Sequence, residues 1–317
     1  MPGTHLTASY AATIGFFDGV HLGHRFLVQQ LCQYADERGF RPLVITFDRH
    51  PRQVLQQGWH PLLLTSLEEK MQLLQQMGGV QVVVLPFTPE MAALSARDFM
   101  HDVLLRQLGV RLLLTGYDNH FGRRTADSSE GYADYVAYGQ EMGIEVVCGK
   151  PLAAPLLPHS SVSSSLVRRL LGEGRIAEAN ACLGRPYQLE GTVVEGEQMG
   201  RQIGFPTANL RLACADRLVP ASGVYAVRVK GVACGSPLPG MTNIGTRPTF
   251  DGHRQTIETH ILDYSGDLYG APLTIELLER LRDEQHFDSA ASLARQMALD
   301  AEAARKVINN ITPVMKR

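Results

Sequence analysis

A chain of 317 residues is too long for one ordinary core and too short for three, so two domains are expected, each able to bury a core. With 30 Lys and Arg against 32 Asp and Glu, a net charge of -2 and no basic run, the chain offers no global field for a polyanion; a nucleic-acid partner is not expected and any phosphate site must be local. The five cysteines are far apart and form no CxxC pair, which excludes a disulfide framework or zinc site, and no apolar run nears the ~18 residues that span a bilayer, so reduced thiols, no membrane partner and a cytoplasmic location are expected.

The first half repeats a short apolar run followed by an amphipathic segment. Runs at 11–17, 42–47, 80–87, 111–115 and 144–148, rich in Val, Ile, Leu and Phe, read as strands buried on both faces. Between them, 26–38, 67–77 (opened by Ser66 and Glu69), 96–108 (opened by Ser95) and 132–142 read as helices. Strand and helix alternating at this spacing require a parallel sheet, whose ligands sit at the carboxyl ends of the strands.

The first such end carries the most chemistry. Strand 11–17 runs into the turn signal Asp18-Gly19, and a helix is expected from Leu22, so His21 and His24 sit at a helix N-terminus. Free N–H groups and the positive end of the dipole favour phosphate oxygens there. Gly15, Gly19 and Gly23 remove side chains that would hold a ligand off the backbone. Three residues apart, both imidazoles can face one side of the first turn and donate N–H to one polyphosphate. A lone His-x-x-His reads as a solvated cap; glycines on both sides favour an anion site, and zinc would need a third ligand that nothing nearby supplies.

Ser163-Ser164-Ser165 leading into Arg168 sets hydroxyl donors at a helix start and a cation one turn later, a set suited to the same phosphates. On the residues alone, a serine-rich loop with a capped helix is the plainer reading. Asp118 follows the run 111–115 at the carboxyl edge of a strand, where an ordinary turn aspartate is the plain reading.

Around Gly184-Arg185-Pro186 the rhythm changes. Val227 and Val229 alternate with Arg228 and Lys230, and Ile257, Thr259 and Ile261 with Glu258 and His260, punctuated by Gly and Pro as in 235–240. A small antiparallel barrel is expected, closed by a helix over about 290–309 that turns Leu293, Met297 and Val307 toward it. In "GFPTAN", Thr207 and Asn209 lie two apart, so on a strand their oxygens face one side as hard ligands of the kind magnesium prefers. Gly204 admits close backbone approach and Pro206 stiffens the turn. A strand edge with a turn is an even alternative. Glu258 faces away from its apolar neighbours, toward a pocket or bulk water, and exposure is the plainer reading. Arg201 and Arg247 lie in loops that could meet phosphate, although a loop arginine is more often solvated.

"GFFDGVHLGH" resembles the nucleotidyltransferase signature of the bacterial bifunctional riboflavin kinase/FMN adenylyltransferases, the FAD synthetases. "TFDRHP", "LLTSLEEKMQLL", "GYDNHFG" and "VSSSLVR" follow in order, then "GRQIGFPTANL", "GVYAVRV", "NIGTRPTF", "IETHILD" and "DLYG", so the resemblance covers nearly the whole chain. It implies an α/β fold class: a Rossmann-like parallel-sheet nucleotidyltransferase domain over 1–185, then a small antiparallel β-barrel riboflavin kinase domain over 186–317 with a C-terminal helix. The chain departs from the usual pattern at Phe16, where many relatives carry Asn, at Arg49, where Pro is commoner, and at Asn119-His120, which replaces an aromatic-basic pair.

For adenylyl transfer the resemblance implies ATP held by Gly15, Asp18, Gly19, His21, Gly23, His24, Ser163, Ser164 and Arg168, with His21 and His24 acting on the departing pyrophosphate. The flavin is expected at Asp118, Asn119, Phe47 and Arg247. For the kinase it implies ATP at Arg201, Gly204, Pro206, Thr207 and Asn209, magnesium on Thr207 and Asn209, and Glu258 as the base for the riboflavin 5'-hydroxyl. Mg2+ is then the cofactor, ATP the co-substrate, and riboflavin, FMN and FAD the other partners of a monomer or weak homo-oligomer. A flavin-binding sensor with one or both activities lost is the alternative.

Overall fold

The computed structural model describes residues 9–56, 58, 62–117, 120–123, 130–157, 160–196, 199–232, 235–249 and 252–311. The chain forms two compact units, Met1–Ser163 and Ser164–Arg317.

In the first unit, strands β1 (Tyr10–Ile14), β2 (Arg41–Phe47), β3 (Gln81–Leu85), β4 (Val110–Thr115) and β5 (Glu145–Cys148) make one parallel sheet in the order β3-β2-β1-β4-β5. Helices α1 (Leu22–Arg38), α2 (Pro51–Leu55), α3 (Leu67–Gln75), α4 (Pro89–Ala93), α5 (Ala96–Asp98) and α6 (Tyr132–Met142) connect them. Alternate β1 residues serve opposite cores. Tyr10, Ala12 and Ile14 pack with Met100, Leu104 and Tyr135, while Ala11 packs with Val28 and Leu31 of α1 and Leu74 of α3. That two-sided burial is why the strands read as continuous apolar runs. The strand order reverses between β1 and β4, which makes their carboxyl ends the crevice of the sheet.

One expected helix differs in kind. After the single turn of α5, capped by Ser95 through the Asp98 N–H at 3.0 Å, residues Phe99–Gln107 form a π-helix, and Leu108 N–H reaches back five residues to the Val103 carbonyl at 3.1 Å. Phe99, Val103, Leu104 and Leu108 recur every four to five residues, and the wider turn brings all of them to the core.

The second unit opens with α7 (Ser164–Gly172) and α8 (Ile176–Leu183), continues through β6 (Tyr187–Val194), α9 (Met199–Gln202), β7 (Ala208–Leu212), β8 (Gly223–Lys230), β9 (Leu238–Thr249), β10 (Gly252–Ile261) and β11 (Pro272–Arg282), and ends in α10 (Ala290–Ile311). The six strands close an antiparallel barrel in the order β10-β7-β6-β11-β8-β9. The sequence rhythm changes at 184–186, whereas the compact units divide at Ser163, because α8 is fastened to the barrel. Asn180 donates to the Leu277 carbonyl at 2.9 Å and accepts the Tyr187 N–H at 2.7 Å. Met297, Ala301, Ala304 and Val307 of α10 pack on Ala226 and Met241, as their helical spacing requires.

Candidate functional sites

The loop between β1 and α1 is the first candidate. His21 caps α1: its Nδ1 accepts the His24 backbone N–H at 3.2 Å, which places the proton of the neutral ring on Nε2. The two imidazoles stack with centroids 3.6 Å apart, and Phe17 meets His24 edge-on at 5.1 Å. The expected shared face is present. His24 Nδ1 is buried with no hydrogen-bond partner, and burial, then neighbouring His21 and Lys70, hold its pKa well below 6.5, so the ring is neutral at pH 7.

The backbone there is strained. Phe17 and Val20 hold φ of 54° and 39°, unfavourable for any L residue and most of all for a β-branched one, and Gly19 stands at 82°. Asp18 holds this shape. It is 3% exposed, and its carboxylate accepts the N–H groups of Leu64 (3.0 Å) and Thr65 (3.2 Å) while Thr65 Oγ1 accepts from Gly19 N–H at 3.0 Å. Expected as a nucleotide contact, Asp18 is a brace inside the protein. Gly23 also serves packing, since a Cβ there would stand 2.9 Å from the Val162 carbonyl, while one on Gly15 would meet the Phe17 ring at 3.3 Å.

Phe47, expected at the flavin, is in the core, 8% exposed and edge-on to Phe87 at 5.2 Å; inward alternation at the end of β2 turns its ring into the sheet packing. Asp118 and Asn119 lie outside the described residues. Ser163 ends the first unit, and Ser164 and Arg168 stand on α7 in the second, all half-buried. Sequence reasoning missed Lys70. The lysine is 2% exposed, donates to the Phe16 carbonyl at 3.1 Å and the Phe47 carbonyl at 2.9 Å, and lies over the Phe16 ring at 4.1 Å.

The second candidate lies on the outer face of the barrel beneath α10. Glu258 of β10 stands directly opposite Asn209 of β7 on one side and Asn243 of β9 on the other, so all three side chains leave one face of the sheet. A cavity of about 440 Å³ is lined by Glu258, Asn243, His260 and Met241 from the strands, by Thr207 just before β7, and by Phe287, Leu293, Met297 and Asp300 on the other side. A second cavity of about 540 Å³ is lined by Arg201, Pro206, Thr207, Ala208 and the segment 264–269. Thr207 lines both.

The "GFPTAN" turn is tightly built. Phe205 N–H donates to the Gly200 carbonyl at 2.8 Å, Gly204 takes φ 85°, and the His260 ring N–H donates from Nδ1 to the Pro206 carbonyl at 2.8 Å. A Cβ on Gly196 would collide with the Asn209 amide, so the backbone seats that side chain. Thr207 and Asn209 are half-buried neutral oxygens two residues apart, and among the described residues no group of three His, Cys, Asp or Glu could hold a metal. Such a pair fits magnesium held mainly by phosphate and water, which needs one or two protein oxygens. Arg247 lies on β9 opposite Arg254; its side chain lies outside the described residues. Sequence reasoning also missed the Arg282–Asp300 pair. Arg282 Nη2 meets Asp300 at 2.7 Å and its Nε meets both Asp300 oxygens at 3.0 Å, joining β11 to α10 at the wall of the cavity.

The FAD synthetase profile matches residues 4–165 and the riboflavin kinase profile residues 183–308. The bifunctional riboflavin kinase/FMN adenylyltransferase of Escherichia coli (strain K12) is 38% identical over 95% of this chain and 93% of its own, and that of Bacillus subtilis (strain 168) is 33% identical over 96% and 94%. A crystal structure from Streptococcus pneumoniae, described as a macrolide-efflux protein, is 30% identical with a TM-score of 0.83 over 94% of this chain and 95% of its own. Among the described residues no helix is long and apolar enough to cross a membrane. On the two profiles in this order and on relatives matched along nearly their whole length, the chain belongs to the bifunctional riboflavin kinase/FMN adenylyltransferase family.

Proposed function

We propose that the barrel site makes FMN and the sheet site makes FAD, with adenylyl transfer carried by residues 1–185 and phosphorylation by 186–317 in the cytoplasm. The observation that supports the kinase reading most is Thr207, which lines both cavities on the barrel. A nucleoside triphosphate in the cavity of Arg201 and Pro206 and an alcohol in the cavity of Glu258 then meet at that residue. The riboflavin 5'-oxygen attacks the γ-phosphorus, its proton passes to the Glu258 carboxylate, and ADP departs. Thr207 and Asn209 would hold Mg2+, which screens the phosphate oxygens when bound.

At the sheet site an FMN phosphate oxygen attacks the α-phosphorus of ATP and pyrophosphate leaves. His21 and His24, fixed by each other and by the strained loop, donate N–H to the triphosphate and to charge growing on the leaving group. No covalent nucleophile is needed, since positioning and charge stabilisation carry such a transfer. A flavin sensor without chemistry is not favoured, because profiles of both enzymes match the chain.

The test is to supply riboflavin, ATP and Mg2+ and to separate the flavins by chromatography. FMN followed by FAD is expected; riboflavin left unchanged, together with added FMN left unchanged, would remove both activities.

A further inference from the structure

Lys70 is a charged residue of α3 with almost no contact with solvent, and it lies behind the loop of the sheet site rather than in it. Its ammonium sits where two strands end, held by the carbonyls of Phe16, just beyond β1, and Phe47, the last residue of β2. The Phe16 carbonyl also accepts from Thr46 Oγ1 at 3.1 Å, and the Phe16 ring covers the ammonium. The residue after Phe16 is the strained Phe17, whose ring touches His24. The same segment, 64–70, supplies the N–H groups that hold Asp18 and the hydroxyl that holds Gly19.

We propose that Lys70 is a positioning residue for adenylyl transfer, its buried ammonium locking the carbonyl of Phe16 so that the strained loop presents His21 and His24 in place. The inference rests on the reading of this loop as the triphosphate site. A second effect follows from charge. Asp18 and Asp48 attract the ammonium, while burial pushes its pKa down to about 8, so near neutrality it is largely a cation, and its field adds to burial and to His21 in keeping His24 neutral.

Lys70→Met keeps the length and apolar stem but removes the charge and donors. In the full chain, with FMN, ATP and Mg2+ supplied, kcat for FAD formation is expected to fall on the order of 10²-fold, the usual cost of a displacement near 1 Å, with KM for FMN nearly unchanged. Riboflavin phosphorylation stays at the parental rate. A residue that merely fills space would not move the titration of His24, whereas loss of this cation raises it toward 6.5 in ring-nitrogen NMR of the same variant. A folded Lys70→Met chain with parental kcat and an unmoved His24 titration overturns the proposal.

If that variant does not fold, Lys70→Arg carries the test. It restores cation and donors and is expected to keep kcat within about threefold, well short of the 10²-fold loss of a fixed donor; a folded Arg chain with the larger loss overturns the proposal. His24→Ala separates the two readings. If it leaves FAD formation at the parental rate, the site itself is misread; if it abolishes FAD formation while Lys70→Met does not, only the role of Lys70 falls.

Discussion

His21 accepts the backbone N–H of His24 on its own ring nitrogen at 3.2 Å while the two rings stack 3.6 Å apart, so each histidine fixes the other at the start of α1. The ring protons left to donate then point from a rigid pair. His24→Ala should cut FAD formation from added FMN by about 10²-fold or more, the usual loss of one preorganised donor, and leave riboflavin phosphorylation unchanged. Steady-state rates of the two half-reactions, measured separately by chromatography, check it.

The depressed pKa of His24 makes stability depend on pH with a definite sign. Above about pH 6.5 the ring is neutral both in the folded and in the unfolded chain and contributes no dependence. As pH falls below that value the unfolded chain takes up the proton first, because burial, His21 and Lys70 oppose the cation in the folded one. Folding therefore loses stability on the acid side, by up to about 1.4 kcal/mol per pH unit until the folded-state pKa is reached. His24→Gln should remove this component, so that urea unfolding at pH 7.5 and 5.5 shows a smaller acid loss in the variant than in the parent. Equal losses would mean that His24 is not held neutral.

Asp18 distinguishes a brace from a ligand contact. Removing its carboxylate orphans two buried N–H groups, those of Leu64 and Thr65. At about 1–3 kcal/mol for each unsatisfied group, Asp18→Ala should destabilise the unit by about 3 kcal/mol, whereas a side chain kept only for nucleotide would change stability little. Chemical unfolding without nucleotide measures this directly.

What the sequence made legible was whatever depends on local pattern. The two-sided burial of β1, the helix start at Leu22, the histidine pair on one face and the alternation of Glu258 against Ile257 and Thr259 are all periodicities of neighbouring residues. The rest depends on distant chain. Lys70 lies in a helix legible only from its capping box and apolar spacing, and the carbonyls that hold it lie 54 and 23 residues away. Asp18 carries an ordinary turn signal, and only the approach of residues 64 and 65 makes it a buried acceptor. In the segment 96–108 the apolar spacing of four to five residues was visible, but the π turn that uses it is rare enough that an ordinary helix was the natural expectation.

At the barrel, Glu258 stands between Asn209 and Asn243, in a cavity that shares Thr207 with the neighbouring one. Glu258→Gln preserves shape and removes the proton acceptor. FMN formation should fall by about 10²-fold or more, within the 10²–10⁴-fold range of a positioned base, while FAD still forms from added FMN at the parental rate. Loss of both half-reactions in a folded variant would break the assignment of adenylyl transfer to residues 1–185 and phosphorylation to 186–317.

Arg282 and Asp300 tie the end of β11 to α10, and both line the cavity that holds Glu258. The pair is shielded, with side chains 16% and 6% exposed, so removing one partner leaves an uncompensated charge. Asp300→Ala should cost about 3 kcal/mol of stability by that argument. Loosening α10 also opens the wall formed by Leu293 and Met297, so KM for riboflavin should rise by about tenfold, equivalent to about 1.4 kcal/mol of binding. The double variant Arg282→Met, Asp300→Leu separates the two effects: apolar residues of similar volume should recover most of the stability, because a well-packed replacement of a buried ion pair is often neutral or better. If the pair only holds the helix, KM recovers with stability; if its polar atoms also meet the flavin, KM stays high in a stable protein. Riboflavin saturation curves, read beside unfolding curves for parent, single and double variants, decide between these outcomes, and an unchanged KM in the single variant would show that α10 does not shape the pocket.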